Sequence, residues 1–112
     1  MMGRNMTPGG NAVKQWAGNS NTFTAQGNAS LTITLPSGQT GKPVIMRGSG
    51  SVSGQITLTY GNVAQVIVPI NPNAPYSEVV IPPAAFPSPT SSVVVTVTGD
   101  AAGVIRCLIG FA

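Results

Sequence analysis

In Leu31-Thr32-Ile33-Thr34-Leu35 apolar and polar side chains alternate one by one. A period of two puts all three apolar residues on one face of a strand and the threonines on the other. The same alternation recurs along the chain. Val52, Ile56, Leu58 and Tyr60 face one way, against Ser51, Ser53, Gln55, Thr57 and Thr59. Gly54 falls on the inward side of that run, where a missing side chain is expected to mark a bulge. Val93, Val95 and Val97 alternate with Val94, Thr96 and Thr98, and Ile105, Cys107, Ile109 and Phe111 share a face. Val44–Arg47 is a further β-branched run. Val63–Ile70 is apolar on both sides at Val66-Ile67-Val68 and reads as a central or covered strand. Tyr76–Ile81 is short and is closed by Pro82-Pro83, as suits an edge.

Gly and Pro punctuate these runs. Gly61-Asn62 reads as a tight hairpin turn with positive φ at both residues. Pro82–Thr90 holds too many prolines for a helix or an inner strand and must be a loop. No ten-residue stretch carries 3.6-residue spacing with caps. Strands recurring at this spacing predict an all-β fold, an antiparallel β-sandwich, with a jelly roll as one arrangement the spacing admits. Spacing alone leaves the strand order open.

Residues 1–28 differ: Gly, Asn, Thr, Ala and Gln predominate, and no period survives. The chain therefore divides into an extended N-terminal arm, residues 1–28, and a β-sandwich domain, residues 29–112. Segments such as Gly18-Asn19-Ser20-Asn21 bury little apolar area against the entropy of ordering them, so something else must hold the arm. Its partner-binding residues are expected to be Arg4, Met6, Val13, Lys14, Trp16 and Phe23, with the two aromatic rings as anchors. The competing expectation is that the arm folds back as an extra strand on its own sheet, through Thr22–Gln26.

Charge narrows the function. The chain has 5 basic and 2 acidic residues, 6% charged in all, and no His; soluble domains ordinarily carry roughly a quarter. Without His, the commonest proton carrier near neutral pH is missing. Glu78 and Asp100 lie far apart, and Cys107 is the single cysteine, with no base of the usual kind to activate it. An enzyme, a metal site and a cofactor are not expected. Cys107 reads as a small buried hydrophobe. The net charge of +3 comes from scattered residues, read as isolated solvated charges, so nucleic-acid binding is not expected either. No uninterrupted apolar run is long enough for a membrane helix. Met1–Gly10 lacks the apolar region of a secretory signal, which predicts a cytoplasmic site of synthesis.

A monomer of 11.3 kDa exposes about 5,700 Å². So few charges leave roughly one per 800 Å², about one partner's share of a standard interface. Such a surface predicts a protein largely covered by neighbours.

With its Gly/Asn-rich arm, the Leu31–Leu35 and Val93–Val97 strands and the Pro82–Thr90 loop, the chain resembles the small decoration (cement) and minor capsid proteins of tailed bacteriophages. The resemblance implies a virion structural protein that binds the outer face of a shell, often as a trimer, and bridges major capsid subunits after assembly in the host cytoplasm. A tail or head–tail component would share this composition. The alternative is a receptor- or carbohydrate-binding β-sandwich module of a fibre, tail or adhesin. That reading calls for clustered exposed aromatics, whereas here Trp16, Tyr60, Tyr76 and the phenylalanines are dispersed in sequence.

Overall fold

Each alternating run becomes a strand in the computed structural model, which describes residues 12–112. The elements are β1 (Gln15–Phe23), β2 (Gly27–Thr34), β3 (Pro43–Gly50), β4 (Gly54–Tyr60), β5 (Ala64–Ile70), β6 (Ser77–Val80), β7 (Ser92–Gly99) and β8 (Gly103–Phe111), with one 3-10 turn at Pro83–Ala85. They form two four-stranded antiparallel sheets packed face to face as a β-sandwich. The first has the order β1-β8-β3-β6 and the second β2-β7-β4-β5.

The pairing is nested. β1 pairs with β8, β2 with β7, β3 with β6 and β4 with β5. Two further ladders, β3 with β8 and β4 with β7, join these pairs into sheets. The alternation therefore has one interior to fill. Ile33, Ile56, Val68 and Val97 of the second sheet meet Met46, Ile105, Cys107 and Ile109 of the first, all fully buried. Burying each Ile, Val or Met is worth roughly 1.5–3 kcal/mol.

The domain boundary expected after residue 28 does not fall there. Gln15–Phe23 is a strand of the sandwich, paired with β8 from Gln15↔Phe111 to Phe23↔Gly103. The fold-back expectation is the one realised, though through Gln15–Phe23 rather than Thr22–Gln26. The strand lacks apolar alternation because it lies at an edge of the sandwich: of its inward positions Ala17 and Phe23 reach the core, while the polar Asn19 and Asn21 lie between them. There Asn19 Nδ2 donates to the Thr32 carbonyl of β2 at 3.0 Å, joining the two sheets along that side.

Three local expectations also change. β5 is an edge strand rather than a covered one; Pro69, which has no N–H to give a ladder, suits that place. Gly54 marks a close approach, not a bulge: both its ladders start at it without a register shift, and a Cβ there would strike the Thr98 carbonyl oxygen and Ile105. The bulge is instead in β3, between Pro43 and Ile45. Between Tyr60 and its partner Ala64 the turn has three residues, Gly61-Asn62-Val63, and only Gly61 has positive φ.

Candidate interaction faces

The first sheet turns outward a grid set by its register. One row reads Trp16–Gly110–Ile45–Val80, the next Gly18–Leu108–Arg47–Glu78, and the next Ser20–Arg106–Ser49. The glycine in the first row makes the arrangement possible. A Cβ on Gly110 would lie 2.6 Å from Ile45, 3.0 Å from Val13 and 3.2 Å from the Trp16 ring. With no side chain there, Val13 and the far end of the Trp16 indole close over β8 beside Ile45. Ile45 is consequently only 5% exposed although it stands outside the core cluster.

The same indole reaches the second row. The Arg47 guanidinium carbon sits 4.3 Å from the Trp16 ring centroid and 4.6 Å from that of Tyr76. Opposite it across the β3–β6 ladder, Glu78 Oε1 accepts a hydrogen bond from Arg47 Nε at 2.7 Å. One cation is thus flanked by two rings and held by a carboxylate. Cation–π contacts at partly exposed sites are worth about 0.5–1 kcal/mol each, and the ion pair, half in solvent, adds at most about 1 kcal/mol.

The second sheet's outer face is of another kind. β2 contributes Asn28, Ser30, Thr32 and Thr34; β7, Ser92, Val94, Thr96 and Thr98; β4, Gln55, Thr57 and Thr59; β5, Gln65, Ile67 and Pro69. None is ionisable. Ser30, Thr96, Thr57 and Ile67 stand in one cross-strand row, and Asn28, Thr98, Gln55 and Pro69 in the next. Among the described residues, every charge borne by a strand (Arg47, Glu78 and Arg106) belongs to the other sheet.

The sequence-predicted partner residues scatter. Arg4 and Met6 lie outside the described residues. Val13 packs near Gly110, and Lys14 is exposed, its backbone N–H donating to the Phe111 carbonyl at 2.8 Å. Trp16 joins the outer cluster. Phe23 is not available to a partner: at 8% exposure it belongs to the core, its ring lying where a side chain on Gly99 would be. Arg47, expected as an isolated solvated charge, is paired and stacked. Its partners Tyr76 and Glu78 carry no local signal, because only the β3–β6 register brings them to it. Asp100 braces a turn, accepting from Ser53 Oγ at 3.0 Å.

Cys107 is fully buried, and desolvation pushes its thiol up to about 12; it packs as a small hydrophobe. Among the described residues there is no concave pocket and no group of His, Cys, Asp or Glu placed to hold a metal ion. Comparison of the chain with protein-family models, with curated proteins and with solved structures gives no match.

Proposed function

We propose that this chain is a non-enzymatic virion structural protein of the capsid-decoration kind, stabilising a shell by bridging its major subunits and associating with its own copies, a trimer foremost. The observation that carries the reading is the charge-free outer face of the second sheet. A surface of threonine, serine, valine and isoleucine loses little by desolvation, since no ion must leave water. Each Å² of its apolar part that a neighbour covers is worth about 25 cal/mol before association costs. Small contacts of this sort, repeated across a shell, reinforce one another through multivalency.

The nested pairing supports the same reading. Joining first strand to last and working inward is the order expected of an eight-stranded jelly roll, an architecture used by viral capsid and lectin domains. Light scattering on the full chain tests the proposal: a mass above that of one 11.3 kDa chain is expected. A fully folded monomer at all concentrations, with no affinity for a shell, would sink it.

A second reading has one observation in its favour. Trp16 and Tyr76, dispersed in sequence, meet in space around Arg47, so the aromatic cluster that a receptor- or carbohydrate-binding module calls for exists. Binding of a neutral polysaccharide, read by Trp16 fluorescence, would favour this alternative.

A further inference from the structure

The outer face of the first sheet combines Trp, Tyr and Arg, the residue types most enriched at the energetic centres of protein interfaces. Here the three are within stacking distance and already immobilised, so a partner would not bear the entropy of ordering them. Arg47 engages Glu78 through Nε. Its two terminal amino groups donate to no other acceptor among the described residues, and the side chain keeps 26% of its surface exposed. One row away, Arg106 is exposed on β8, diagonal to Arg47 across the ladder and so about 7–8 Å from it at the backbone. Arg106 forms no ion pair among the described residues, where the one salt bridge joins Arg47 to Glu78.

We infer that this face docks a protein surface bearing carboxylate side chains, with Arg47 and Arg106 as its two anion-binding points and Trp16 and Tyr76 as the apolar contacts beside them. Charge complementarity selects the occupant. A second copy of this chain offers few carboxylates: its two acids are Glu78, on this same face beside Arg47, and Asp100, at the turn that meets Ser53. A small ligand is disfavoured because the face is a flat sheet without a concavity. The inference does not depend on the shell role: an acidic partner of any origin would satisfy it.

Trp16 is the only tryptophan, so its emission reports on the site directly. The full chain is titrated with a short poly-glutamate peptide, with a Gly/Ser peptide of equal length and with polygalacturonate. Poly-glutamate is expected to change Trp16 emission saturably, and the Gly/Ser peptide to leave it unchanged. Arg47→Met and Arg106→Gln should each weaken the poly-glutamate response about tenfold, while Thr59→Glu, which lowers the net charge equally but is exposed on the outer face of the other sheet, should not. Arg106 is exposed and outside the stack, so Arg106→Gln keeps the test decisive even if Arg47→Met disturbs folding. Absence of any response, equal weakening by Thr59→Glu, or undiminished binding by Arg106→Gln would overturn the inference. Tighter binding of polygalacturonate than of poly-glutamate would also overturn it, giving the face to an acidic polysaccharide instead.

Discussion

Ile45 and Ile67 both point away from the core, one from each sheet, yet Ile45 is 5% exposed and Ile67 44%. The difference lies in their neighbours. Beside Ile45 the register puts Gly110 and then Trp16, so the indole and Val13 both lie over the gap that the glycine leaves. Beside Ile67 it puts Thr57 and Thr96, short β-branched side chains that stand upright and cover nothing. The first sheet thereby gains a small apolar cluster on its outer side, with a charged and aromatic surface above it. The second keeps a level, uncharged surface. A sandwich whose two outsides differ this much can present each to a different neighbour.

The largest effect that separates the two faces is truncation of these isoleucines. Ile45→Ala should cost about 2–4 kcal/mol, as for a core residue, and Ile67→Ala within about 1 kcal/mol, both read from urea midpoints. Equal losses would mean that Trp16 does not seal its side of the molecule. Next comes Gly110→Val, which forces a side chain into the space used by Trp16, Val13 and Ile45. A loss of about 1–3 kcal/mol is expected, with Trp16 emission shifted to the red as the ring is pushed into water.

Arg47→Met keeps much of the side chain's length but removes the cation from between its rings. Its cost should be about 1 kcal/mol and should shrink at high salt, since part of it is the half-exposed pair with Glu78. A salt-independent loss would assign the effect to packing alone. Smallest in stability is Thr96→Glu at the centre of the uncharged face, expected to stay within about 0.5 kcal/mol. Its effect should fall on association: the mass seen by light scattering should drop toward the monomer. An unchanged mass would move the self-contact elsewhere.

How much of this was legible beforehand depended on whether a residue's role was local. The β2 to β8 runs could be read from Leu31, Ile56, Val95 or Ile105 because a buried face writes itself as a period of two. β1 could not, since Asn19 and Asn21 at the side of the sandwich face an edge and are polar for that reason. Val66-Ile67-Val68 misled for the opposite reason: Ile67 is apolar without being covered. Phe23 looked like an anchor for a partner because an aromatic in a polar segment has no visible core to join until β1 is laid beside β8.

The sequence by itself determined that the chain would be β, roughly where its strands from β2 onward would run, and that it would have almost no charge to display. These follow from side-chain alternation and from Gly and Pro, which act within a few residues. Only the tertiary structure decided which charges share a face with which rings. Trp16, Arg47 and Tyr76 are distant in the chain and meet through the register of β1, β8, β3 and β6, a property of hydrogen-bonded ladders that no local pattern encodes.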